Sequence, residues 1–124
     1  MQPTARTDRP LALEAHAKPD RPAQFVPRSE HGKVLAANRS AVIALAQEHG
    51  MSNVRVFGST VRGTDRSDSD IDLLVDLAPT VSLFTLARLE IALAKLLGVD
   101  VDVVSARSLK PWFATDILHE ARAL

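Results

Sequence analysis

Two aspartates separated by one residue, Asp70-Ile71-Asp72, open a run that continues through Leu73-Leu74-Val75. A run of that composition is a strand, and residues two apart on a strand project from the same face. The chain must therefore set two carboxylates side by side on a sheet. Unpaired, they repel, and one is pushed toward protonation. A hard divalent cation such as Mg2+ removes the repulsion and keeps waters and substrate phosphates as its remaining ligands. An Asp-x-Asp alone is more often a solvated strand face or a turn, so the neighbouring sequence decides between these readings.

Upstream, Val54-Arg55-Val56-Phe57 is a short β-branched and aromatic run, after which Gly58-Ser59 turns into Thr60-Val61-Arg62-Gly63, a single helical turn. Glycine lets a phosphate approach the backbone, and a serine hydroxyl with the N–H groups of a helix start can donate to its oxygens. Arg62 follows one turn later. Its guanidinium either forks onto a phosphate, a geometry lysine cannot match, or pairs with the nearby Asp65 or Asp68. Asp65 and Asp76 read as surface charges.

Val56-Phe57-Gly58-Ser59-Thr60-Val61-Arg62-Gly63, continuing through Ser67-Asp68-Ser69-Asp70-Ile71-Asp72-Leu73-Leu74-Val75, resembles the minimal nucleotidyltransferase (MNT) domain of the DNA polymerase β-like superfamily. The glycine-serine pair, ten intervening residues and Asp-x-Asp follow that family's spacing. The resemblance extends over roughly residues 33 to 124, including Leu109-Lys110-Pro111 and Ile117-Leu118-His119-Glu120-Ala121. It implies a third carboxylate on a later strand, for which Asp102 in Val101-Asp102-Val103-Val104 is preferred over Asp100. It implies two Mg2+ ions held by Asp70, Asp72 and Asp102, with ATP as substrate bound by Gly58, Ser59 and Arg62. The fold implied is α/β: a small mixed sheet of three to four strands, with helices packed behind it.

Zero net charge gives no reason to expect direct nucleic-acid binding. Residues 1–40 carry seven Lys/Arg against four Asp/Glu, and residues 41–124 carry eight against eleven, an acidic excess centred on the aspartates and their approach loop. Such a field favours a cation over a phosphate backbone. The absence of cysteine fits a reducing compartment. No apolar stretch is long enough to span a bilayer and the N-terminus has no apolar signal-like stretch, so no membrane association and a cytoplasmic location are expected.

With 46% hydrophobic residues in 124, the chain has material for one core. Five of the seven prolines fall within residues 1–29, without apolar periodicity, so this arm is expected to be disordered or ordered by a partner, and the domain to span residues 30–124. Helical spacing of Val34, Leu35, Val42, Ile43, Leu45 and Ala46 predicts a first helix from about Glu30 to His49, stopped by Gly50. A second runs from a Thr80 or Ser82 cap to about Leu97, with Leu83, Leu86, Leu89, Ile91, Leu93, Leu96 and Leu97 on or near its buried face and Gly98 after it. A third strand covers about Val99 to Val104, and Pro111 starts a last helix from Trp112 to about Ala123. Trp112 and Phe113 are either core of that helix or an aromatic anchor for a partner.

A catalytic half with no second domain is expected to complete its site with a partner. For this family the resemblance implies the HEPN-domain toxin of a toxin–antitoxin pair, with AMP transferred from ATP to a hydroxyl, expected to be a tyrosine. Two alternatives stand beside it. One is an antitoxin that acts by docking alone; the other is a nucleotidyltransferase for small molecules of antibiotic type.

Overall fold

A computed structural model describes residues 22–124. Helix α1 (Glu30–Ala37) and helix α2 (Arg39–Glu48) lead into strand β1 (Met51–Phe57), and the one-turn helix α3 (Ser59–Arg62) follows. Strand β2 (Ile71–Leu77), the long helix α4 (Leu83–Leu97) and strand β3 (Val101–Ser105) come next, then a 3-10 turn at Ala106–Ser108, helix α5 (Pro111–Glu120) and the two-residue strand β4 (Arg122–Ala123). The sheet order is β3-β2-β1-β4. β1 runs antiparallel to both β2 and β4, whereas β3 is parallel to β2 because α4 carries the chain back across the sheet. This is the small mixed sheet with helices that the sequence implies.

Alternation along β2 divides the sheet into two chemistries. Ile71, Leu73 and Val75 are buried in the core with Val101 and Val103 of β3, beneath Val42 and Ala46 of α2 and Leu89, Leu93 and Leu97 of α4. Asp72 and Leu74 project from the opposite face. On α4 the buried residues recur every fourth position. Leu83, Ile91 and Leu96, expected on or near that face, are instead exposed, since only one stripe of a helix can meet a sheet.

The expected single first helix is divided at Asn38, whose side-chain amide donates to the Val34 carbonyl at 2.8 Å and whose backbone N–H closes the end of α1. Asparagine competes with helical bonding in this way more readily than the apolar residues around it. The expected last helix ends at Glu120, and Arg122–Ala123 turns back to pair with β1. Strand β3 begins at Val101 and ends at Ser105, displaced slightly from its expected span.

Most of the proline-rich arm, residues 1–21, lies outside the described residues. Residues 22–29 do not behave as the expected arm, and the fold reaches past the boundary expected at residue 30. The Phe25 N–H donates to the Ala123 carbonyl and the Ala123 N–H to the Ala23 carbonyl, both at 2.8 Å, so this segment flanks β4. Phe25 itself is 6% exposed and belongs to the core. Asp65 is not a surface charge either: its side chain is buried, accepts from the Ser29 hydroxyl at 2.9 Å, and lies 3.4 Å from His31. Asp76 receives the buried Arg55 guanidinium at 2.7 Å and the Asn53 amide at 3.0 Å, closing the bulge in β1 where Asn53 takes a positive φ.

Phe25→Ala is therefore expected to cost about 3 kcal/mol or more, as removal of a buried aromatic does. Chemical denaturation measures it, and a loss under about 1 kcal/mol would show that the segment is not core.

Candidate active site

The strand register brings the aspartates together. Asp72 is paired laterally with Asp102 on β3 and with Phe57 on β1, so the two carboxylates occupy one cross-strand row on the face away from the helical core. Asp70 precedes β2 and is exposed; Asp102 is exposed, and Asp72 between its neighbours is half-buried. Asp100 stands before β3, where its backbone carbonyl accepts from the Ile71 N–H at 2.9 Å.

Phe57 ends β1, and the chain must turn over the Asp72 carboxylate. It does so at Gly58, with φ 77 and ψ −154, a conformation essentially reserved for glycine. A Cβ there would lie 2.4 Å from Asp72 Oδ2. Gly58 thus meets the carboxylate at a distance no side chain tolerates. Its carbonyl receives the Val61 and Arg62 N–H groups, winding α3, and Gly63 ends that turn in the left-handed conformation.

Arg62 contacts neither Asp65 nor Asp68. It pairs with Glu120 at the end of α5, with Arg62 Nη1 donating to Oε2 at 2.5 Å. The other oxygen of Glu120 accepts the Gly58 N–H at 2.8 Å. Glu90 on α4 is a second acidic residue beside the site, accepting the Val103 N–H at 2.7 Å. Glu90 has no functional signal in the sequence, and Glu120 lies in a stretch that carries the family resemblance without being marked for a role, because each arrives through helix packing rather than through spacing from the Asp-x-Asp.

Burial first, then the negative charges of Asp102 and Asp70, push the Asp72 carboxyl up to about 6; Glu120 adds to the rise and Arg62 opposes it. Burial, a hydrogen bond with Asp102 and the charges of Asp102 and Asp70 likewise hold Glu90 above the usual carboxylate range, against the lowering effect of the Val103 N–H. The site is a crowd of carboxylates short of positive charge. Oxygen donors with uncompensated negative charge fit a hard divalent cation. They do not form a closed cage, and among the described residues no three or more His, Cys, Asp or Glu side chains stand grouped at ligand spacing. An open carboxylate face suits Mg2+, whose shell is completed by waters and substrate phosphates.

The family profile described as "nucleotidyltransferase domain" matches residues 41–124. The chain belongs to the nucleotidyltransferase domain family. It is a nucleotidyltransferase, an enzyme, by that membership. Among its relatives is the protein adenylyltransferase MntA of Thermococcus cleftensis, 43% identical over 76 residues that cover 61% of this chain and 77% of the relative. A solved structure described as a minimal nucleotidyltransferase superposes with a TM-score of 0.68 at 49% identity, covering 74% of this chain and 94% of that one. A toxin–antitoxin structure with AMP-PNP gives a TM-score of 0.62 at 28% identity over 69% of this chain and 71% of that chain. A complex from Shewanella oneidensis, an MNT antitoxin with a tri-AMPylated HEPN toxin, gives 0.56 at 26% identity over 71% and 69%. No helix among the described residues is long and apolar enough to cross a membrane.

Because folding raises the Asp72 pKa from 3.8 to about 6, the folded state holds that proton more tightly than the unfolded chain. The sign follows: metal-free stability rises as the pH falls from about 6 toward 4 on this group's account, and Asp72→Asn flattens that slope. A Mg2+ ion held by Asp72 would compete with protons for the same oxygens, so Mg2+ affinity is expected to fall as the pH drops through about 6. Melts in EDTA and Mg2+ titrations across this range read both effects; a pH-independent Mg2+ affinity contradicts the assignment.

Proposed function

We propose that this protein is an antitoxin that transfers AMP from ATP to a hydroxyl, expected to be a tyrosine, of a HEPN-type toxin and so neutralises it. The observation that carries the reading is the half-buried Asp72, flanked by Asp102 in register and crossed by the backbone of Gly58. The names of its relatives support the same chemistry: one is a protein adenylyltransferase, and two structural neighbours are toxin–antitoxin complexes, one with AMP-PNP and one with an AMPylated HEPN toxin.

In this reading Asp70, Asp72 and Asp102 hold Mg2+, two ions in all, which supply positive charge against the triphosphate when bound. Gly58 N–H, the Ser59 hydroxyl and Arg62 bind the β- and γ-phosphates. The acceptor oxygen attacks the α-phosphorus, its proton passes to Asp102, and pyrophosphate leaves with the bonding electrons. The product is a phosphodiester of AMP on the toxin. Placing the acceptor and the α-phosphate together on one rigid sheet face supplies the orientation that the reaction needs.

The acceptor protein needs a surface to rest on, and α5 offers one. It has no buried residue; Trp112 is 76% exposed and Phe113 46%, with ring centroids 6.2 Å apart. These rings do not belong to the core, which supports the anchoring alternative. They begin the helix whose last residue, Glu120, touches Gly58 and Arg62, about 12 Å further along its axis.

Incubation with labelled ATP, Mg2+ and a HEPN protein encoded beside this chain tests the reading. Transfer is expected with the wild type and to fall by at least about 100-fold in Asp70→Asn, Asp72→Asn and Asp102→Asn, each of which removes a metal ligand. Neutralisation that persists in these variants would instead favour docking alone, and label on a small-molecule hydroxyl would favour the antibiotic-type reading.

Trp112→Ala should leave the melt within about 0.5 kcal/mol of wild type, as an exposed position does, while weakening retention of the toxin. A large stability loss with unchanged retention would return the ring to the core.

A further inference from the structure

Glu120 is bound as an anion would be. One carboxylate oxygen takes the Gly58 N–H at 2.8 Å and the other takes the Arg62 guanidinium, so a single group occupies a backbone donor and a forked cation at the turn above Asp72. A backbone N–H at a glycine turn and a guanidinium are the donors that phosphate oxygens use, and a carboxylate competes with phosphate for them. The contact is costly where it stands: the charge of Glu120 adds to the repulsion felt by Asp72. The carboxylate also has somewhere to go. It lines an open cavity of about 510 Å³ between the N-terminal segment, α3 and α5, whose walls include Arg28, His119 and Arg122. Arg122 is tied to the carbonyls of His119, Glu120 and Ala121 at the end of α5, so it anchors the backbone while leaving the side chain of Glu120 to move.

We propose that Glu120 is a resident competitor of the nucleotide, holding the phosphate-binding donors of Gly58 and Arg62 until a triphosphate displaces it. It thereby sets the affinity of the phosphate subsite. The proposal rests on the assignment of Gly58 and Arg62 to the triphosphate. It makes Glu120 a determinant of nucleotide affinity rather than a metal ligand, and it gives the carboxylate that meets these two donors a role in the binding equilibrium.

Calorimetric titration of the full chain with Mg2+–AMP-PNP, and separately with inorganic triphosphate and Mg2+, tests this in the wild type, Glu120→Gln, Arg62→Ala and the double variant. Glutamine keeps an acceptor for the Gly58 N–H but loses the charge, and thermal melts confirm folding. Removing a charged competitor is expected to tighten both ligands roughly tenfold in Glu120→Gln, with adenosine unchanged. The gain should vanish when Arg62→Ala is added. In 15N spectra the Gly58 amide of the wild type should move on adding triphosphate. Unchanged or weaker binding by Glu120→Gln, with Arg62→Ala still impaired, would overturn the competitor role and leave Glu120 as a support for the loop. Wild-type binding by Arg62→Ala, with the Gly58 amide unmoved, would remove the phosphate site itself and the proposal with it.

Discussion

The contact between the backbone of Gly58 and the carboxylate of Asp72 governs the arrangement of the site. A chain leaving β1 must reverse within a residue to wind α3, and it does so directly over the half-buried aspartate in the middle of the sheet. Only a residue without a side chain, at positive φ, fits both demands. The same turn aims the Gly58 N–H and the Arg62 guanidinium toward one point, where Glu120 meets them. Core packing on the opposite face then keeps the geometry fixed, since Ile71, Leu73 and Val75 hold β2 in register with β3 and therefore Asp72 beside Asp102.

Electrostatics gives this rigid site its chemistry. Asp70, Asp72, Asp102, Glu90 and Glu120 share one neighbourhood in which Arg62 acts on Asp72 as the opposing cation. A protein that crowds carboxylates beyond what its own cations neutralise is stabilised by whatever positive charge binds there. The strain is local, because the helical side of the sheet carries the hydrophobic core and the far end of β1 satisfies its buried Arg55 with Asp76. The hydrophobic core and the carboxylate crowd thus lie on opposite faces of a single sheet.

Elements with strong local patterns were legible in the sequence. β2, β3 and α4 follow from apolar strand composition, from leucines at helical spacing and from a glycine stop, and the Asp-x-Asp with its upstream glycine-serine pointed to one face of one sheet. What escaped was decided by long-range contact. Two residues of β4 carry no period, and they form a strand because β1 and the segment around Phe25 pair on either side of them. Phe25 sits among prolines and exposed neighbours, so nothing local marks it as core. Asp65 looks like a solvated charge until Ser29 is folded against it, whereas Asp76 stays half exposed while it holds the buried Arg55. Glu120 lies 62 residues from Gly58, and only the docking of the end of α5 joins them.

The most direct measurement is a crystal structure of the full chain with Mg2+ and AMP-PNP. The account requires metal density on Asp70, Asp72 and Asp102, the β- and γ-phosphates against Gly58, Ser59 and Arg62, and the α-phosphorus on the open face beside Asp102. Nucleotide bound away from the Gly58 turn, or with no metal on Asp72, would contradict it.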